Sequence, residues 1–145
     1  MRPQSAKNKG RRFQQKIRDF FLKLRPELKF DDVRSTSMGA PGEDILFSPR
    51  ARDVFPYSVE CKCVERLNIW EAIQQARENA GEYTPLVAFS KNNEQTWVAI
   101  PIEEFGRLYE IKNNGSIGDL SEFDKLLRGL QIWRESVAKK RNTDS

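Results

Sequence analysis

The chain has 145 residues, 32% of them charged and 38% hydrophobic, which suits one soluble, highly charged domain with a core of its own. It contains no histidine, and this excludes every mechanism that needs imidazole as base or metal ligand, the Ser-His-Asp and Cys-His hydrolases among them. Net charge is +4, yet nine basic residues and one acid fall within residues 1–25, a local excess that suits a polyanionic partner such as nucleic acid.

In chain order, residues 1–9 are expected to form a flexible basic arm. Gly10 to Leu24 reads as an amphipathic helix, with Phe13, Ile17, Phe20, Phe21 and Leu24 at helical spacing and Pro26 as its stop. Phe30 to Ser35 is a strand candidate. Ser37 to Gly42 is a loop punctuated by Gly and Pro. Asp44 to Phe47 reads as a short strand, Ser48 to Asp53 as a polar hairpin turn, and Phe55 to Val64 as the returning strand.

Asn68 is placed to cap a helix that runs to Ala80, with Ile69, Ala72, Ile73, Ala76 and Ala80 on its apolar face and Gly81 as its stop. Pro85 to Ser90 and Thr96 to Ile100 read as strands joined by a turn at Lys91 to Gln95. Pro101 to Tyr109 is a short helix, Asn113 to Gly118 a loop, and Ser121 to Lys140 a last helix with Phe123, Leu126, Leu127, Leu130 and Trp133 on one face. A frayed tail follows Arg141. The order α-β-β-β-α-β-β-α predicts a mixed, partly parallel sheet flanked by helices. The expected organisation is one domain over residues 10–140. Trp70 and Trp133 are expected as core or interface aromatics.

No apolar run is long enough to span a membrane, and the basic N-terminus lacks the apolar stretch of a secretory signal. A cytoplasmic or nucleoid location is expected. Cys61 and Cys63 lie two apart, which does not suit an ordinary disulfide, and two thiols make a poor structural zinc site. They are expected as buried, reduced thiols.

The chemistry concentrates in Glu43-Asp44 and Glu60-Cys61-Lys62. Alternate strand residues share a face, so Glu60 and Lys62 point the same way, roughly 7 Å apart at Cα, while both cysteines point into the opposite layer. Asp44, at the start of the neighbouring strand, can come beside Glu60. Two close carboxylates repel unless a cation lies between them, and Mg²⁺ suits oxygen ligands and a phosphate substrate. Such a metal polarises a phosphodiester and lowers the pKa of a bound water, while Lys62 orients or deprotonates that water or stabilises developing charge. The competing readings are a same-face Glu60–Lys62 ion pair of little energetic weight and a turn role for Asp44.

Asp44 with Glu60-Cys61-Lys62 resembles the motif of the PD-(D/E)XK nuclease superfamily, with Glu43-Asp44 standing for its Pro-Asp and Pro41 displaced. Over about residues 8 to 100 the chain is similar to archaeal-type Holliday-junction resolvases and their phage relatives, through Lys9-Gly10, Val33-Arg34-Ser35, Asp44-Ile45, Glu60-Cys61-Lys62 and Pro85 to Phe89. The resemblance implies an α/β fold with a restriction-endonuclease-like α-β-β-β-α-β core, plus an extra C-terminal helix. It implies a homodimeric endonuclease acting on branched DNA, with Asp44, Glu60 and the Cys61 carbonyl as ligands to Mg²⁺ (Mn²⁺ substituting) and Lys62 as the catalytic lysine.

Where these resolvases carry an acid in the first helix, this chain has Gln14, which argues for one well-occupied metal per site. Gln75 resembles a polar residue that faces the site in several members. Either Ser35 or Ser37 matches the family's loop serine. Lys9, Arg11, Arg12, Lys16 and Arg34 are the expected DNA contacts, with a solvated helix face as the bland alternative for the basic residues of the first helix. Two other functions remain open: a restriction- or repair-type nuclease on linear or damaged duplex, and a non-catalytic DNA-binding protein that kept the fold.

Overall fold

The computed structural model describes residues 2–113 and residue 139. The chain divides into two compact units, Met1–Pro101 and Ile102–Ser145. The expected last helix, apart from Lys139, and the tail after Arg141 lie outside the described residues.

Helix α1 spans Pro3–Leu24 and buries Phe13, Gln14, Ile17 and Phe21. It therefore starts within the segment expected as a flexible arm. Residues 3–9 carry almost no apolar pattern for periodicity to detect, while Pro3 sits at the first helical position, where its fixed φ favours initiation. Phe20 and Leu24, expected on the buried face, are 55% and 51% exposed. They flank the buried stripe instead of forming it.

A 3-10 turn at Phe30–Asp32 leads into strand β1, Val33–Ser35, so only the second half of the expected strand is extended. Strand β2, Ile45–Phe47, pairs antiparallel with β1, setting Val33 opposite Phe47 and Ser35 opposite Ile45. The expected hairpin turn at Ser48–Asp53 is a short helix, α2, Pro49–Arg52, whose N-cap Ser48 accepts a hydrogen bond from the Ala51 N–H at 3.2 Å. A helix here turns the chain away from a hairpin. β2 accordingly ladders with β1 and not with β3, Tyr57–Cys63.

Helix α3, Ile69–Ala80, is capped as expected: Asn68 accepts from the Glu71 N–H, and Gly81 follows at φ +56°. It is the crossover to β4, Thr84–Ser90, which runs parallel to β3 with Glu60 opposite Val87 and Lys62 opposite Phe89. Strand β5, Trp97–Ala99, is antiparallel to β4. The sheet β3-β4-β5 is thus mixed, with the two-stranded sheet β1-β2 separate from it.

The pleat divides the apolar residues between two cores. Val59, Leu86 and Ala88 pack with Phe13, Ile17, Phe21, Val33, Ile45 and Phe47 on the α1 side, and Cys61 and Cys63 lean on that core. Val87 packs with Ala72 and Ala76 on the α3 side. Full burial of a large apolar side chain contributes roughly 1.5–3 kcal/mol, so the larger α1 core dominates the energetics. Trp70 belongs to neither core and is 77% exposed.

In the second unit, α4 spans Ile102–Asn113, longer than the short helix expected. Glu104 and Arg107 make a forked ion pair, with N–O distances of 2.6 and 3.0 Å. No described helix is long and apolar enough to cross a membrane.

Candidate functional site

β3 carries Glu60 and Lys62 on the face directed toward α3, because their cross-strand partners Val87 and Phe89 both belong to the α3-side cluster. Their side chains form an ion pair at 3.2 Å. Asp44 reaches the same place from the segment preceding β2. Its N–H donates to the Val59 carbonyl at 2.9 Å, and its own carbonyl accepts from the Thr36 N–H at 3.0 Å. Its Oδ2 accepts from the Cys61 N–H at 2.7 Å. Two bonds to β3, and two from the N–H and hydroxyl of Thr36 just after β1, fix Asp44 against the edge of β3.

Asp44, Glu60 and Lys62 share an open cleft of about 340 Å³ with Gln14 of α1 and Gln75 of α3. Burial pushes the Asp44 carboxyl above the usual range, against the Cys61 N–H and the Lys62 charge. Burial, then the charge of Asp44, pushes Glu60 the same way, against its bond and attraction to Lys62. Each carboxylate is therefore uncomfortable as an anion in this cleft.

Two more oxygens are left over. Gln14 is 4% exposed, and its Oε1 and that of Gln75 are buried with no hydrogen-bond partner among the described residues. Unpartnered buried acceptors are uncommon and costly, and these two line the same cleft as the two carboxylates. The donor set is all oxygen, the preference of a hard divalent cation. Among the described residues no group of three acidic, thiol or imidazole side chains gathers to hold a metal. Any cation here would rest on two carboxylates plus neutral oxygens and water.

Not every residue of the expected set joins them. Glu43, which stands in the motif beside Asp44, turns the other way and pairs with Arg52. The Arg52 guanidinium lies 4.0 Å from the centre of the Tyr83 ring and donates to the Tyr57 carbonyl. Ser35 is half-buried at the end of β1 and Ser37 is exposed, and neither lines the cleft. Arg34 is exposed beside its cross-strand partner Leu46. Arg11, Arg12 and Lys16 are exposed on α1, while Lys9 is paired with Glu65 at 3.4 Å.

Cys61 and Cys63 are free and half-buried, and burial pushes the Cys61 thiol far above its usual range, which keeps it protonated and inert. Two features of the rim escaped sequence reasoning: the Met38–Gly42 segment, and Glu78 with Asn79 one turn after Gln75. The i, i+3, i+4 spacing from Gln75 was the available signal. Asn79 donates to the Gly42 carbonyl at 3.4 Å and so ties α3 to that rim.

Comparison with protein-family models, with curated proteins and with solved structures found no match to this chain.

Proposed function

We propose that this chain is a metal-dependent DNA endonuclease of the PD-(D/E)XK type, acting on branched DNA as a Holliday-junction resolvase. The observation that carries the reading is one cleft that gathers Asp44, Glu60, Lys62 and two unpartnered amide oxygens beneath a strongly basic helix. In this reading Asp44 and Glu60, with the Cys61 carbonyl, hold Mg²⁺, and Mn²⁺ can replace it. Bound there, the ion supplies Lewis-acid polarisation of the phosphate and relieves the repulsion between the two carboxylates. Lys62 stabilises the negative charge that develops on the phosphate oxygens as water attacks. Gln14 and Gln75 accept hydrogen bonds from ordered water and hold it in the cleft.

The exposed cations of α1 supply phosphate contacts. A homodimer would present two sites to the two symmetric strands of a four-way junction. A second reading, DNA binding without cleavage, draws on Gln14 in place of an acid and on the two-carboxylate donor set.

The test is incubation with a four-way junction, a flap and a linear duplex, in Mg²⁺ or in EDTA. Paired, Mg²⁺-dependent nicks in the junction are expected. Equal cutting of linear duplex would remove the junction preference, and binding without any cutting would establish the second reading. Asp44→Asn and Lys62→Ala should each abolish cleavage and leave junction affinity within about twofold, under 0.5 kcal/mol. Cleavage at the parental rate by either variant would overturn the site.

A further inference from the structure

The outward face of α1 carries an arrangement that phosphate attraction alone does not require. At about 100° per residue, Phe13, Ile17 and Phe21 define the buried side, and the opposite side is a crest formed by Gln4, Asn8 and Gln15, with Asp19, paired to Arg18, one turn beyond them. Gln4 and Asn8 are exposed and Gln15 is half-exposed, and among the described residues none hydrogen-bonds to their amides. Basic side chains border this crest on both flanks. Lys7 and Arg11 lie on the flank of Gln14, and so on the side of the cleft. Arg12 and Lys16 lie on the other flank, and all four are exposed.

Carboxamides are the side chains that pair with the edge of adenine in the major groove, whereas a helix that only needs positive charge has no use for a row of them. A helix about 10–12 Å across fits a major groove about 12 Å wide, with its flanks directed at the two bordering backbones. From Gln4 to Gln15 the crest runs roughly 17 Å along the axis, enough for about five base pairs. Pro3 to Asn8 are exposed all round, so the leading turns project free of the core.

We infer that α1 is a major-groove helix: Gln4, Asn8 and Gln15 face base edges while Lys7 and Arg11 on one side, and Arg12 and Lys16 on the other, engage the two bordering strands. This deepens the DNA reading above and rests on it. It gives the protein a local sequence preference next to the cleft. It also places the strand held by Lys7 and Arg11 on the Gln14 side of the helix.

Binding in EDTA, followed by fluorescence anisotropy, separates this from simple charge attraction. The probes are a duplex and a four-way junction with ordinary cytosine, and the same DNAs with glucosylated hydroxymethylcytosine, which fills the major groove and leaves the phosphates alone. Glucosylation should weaken binding at least tenfold, and the minor-groove ligand netropsin should not compete. Gln4→Ala with Asn8→Ala and Gln15→Ala should flatten the preference among sequences selected from a random pool while leaving the salt dependence unchanged. Lys7→Ala with Arg11→Ala should lower the salt slope by about two and keep the preference. Equal affinity for glucosylated DNA would overturn the groove assignment alone, as would an unchanged sequence preference in the triple variant with its helical circular dichroism intact. Failure to bind any of these DNAs would overturn the DNA reading as well.

Discussion

Gln14→Glu is the most discriminating single change, because it swaps an amide for a carboxylate of nearly the same shape in a cleft that already holds two. The parental side chain is 4% exposed and has no partner for its oxygen, so the new charge gains neither solvent nor a donor. In the metal-free protein it meets desolvation and the repulsion of Asp44 and Glu60. The cost has a ceiling, since the new carboxyl can escape by taking up a proton. With an ordinary Glu pKa near 4.3, that escape costs about 4 kcal/mol at about pH 7 and about 1 kcal/mol at about pH 5.

A loss of about 2–4 kcal/mol at neutral pH translates to a drop in Tm of roughly 4–15 °C for a chain of this size. Mg²⁺ should narrow the difference. A third carboxylate strengthens the site, so Mg²⁺ should raise the Tm of the variant more than that of the parent, and calorimetric titration should show tighter binding. Thermal melts at the two pH values, with Mg²⁺ or EDTA, measure all of this. A variant that melts with the parent in EDTA at neutral pH, and whose Mg²⁺ affinity is unchanged, would refute the placement of Gln14 beside the carboxylates.

Glu60 and Asp44 both have carboxyl groups held above their usual range, chiefly by burial. Their contribution to stability is fully present below the ordinary carboxylate pKa and is lost as pH rises through the raised folded-state values. Metal-free stability should therefore fall from weakly acid to neutral pH, Asp44→Asn should flatten that slope in urea melts, and an unaltered slope would refute the coupling. Arg52→Met should cost about 2 kcal/mol by stranding Glu43 and removing the donor to the Tyr57 carbonyl, read as a lower urea midpoint; a loss under about 0.5 kcal/mol would show that the pair is slack. Gly10→Ala places a Cβ 2.7 Å from Cε of Met38, the free end of a half-exposed side chain, so the methionine moves aside. The helix should gain about 0.5–1 kcal/mol, and a destabilisation above about 1 kcal/mol would mean the Met38 rim is rigid.

The parts of the fold that follow from local chemistry were legible. Asn68 and Gly81 bracket α3 because a cap oxygen and a left-handed stop are sequence features. The parallel β3-β4 pair follows from a helix set between two apolar strands. Periodicity marks only buried turns, so it missed the exposed start of α1, although Pro3 was in plain view. Ser48-Pro49 is likewise an N-cap followed by proline at the first helical position, the signature of a helix and not of a hairpin.

In the cleft, the alternation of Glu60, Cys61 and Lys62 fixed which face each side chain takes. Glu43 and Asp44 lie in the irregular segment before β2, where no such alternation applies, and there Glu43 turns toward Arg52 while Asp44 turns to β3. The Met38–Gly42 rim was not legible, because its approach to α1 and α3 depends on tertiary contacts that no local pattern encodes.

The cleft takes its residues from four stretches spread between positions 14 and 79, and the strand at its centre is laddered to β4, which ends at Ser90. A parallel partner cannot be supplied until the crossover helix and the strand after it have both been made. During synthesis, then, Asp44, Glu60 and Lys62 can all have emerged while the cleft does not yet exist. A growing chain has no assembled cleft until Ser90 has been made, and a fragment cut short before β4 never acquires one. On the nuclease reading proposed above, that order of events keeps an unfinished chain from cutting DNA.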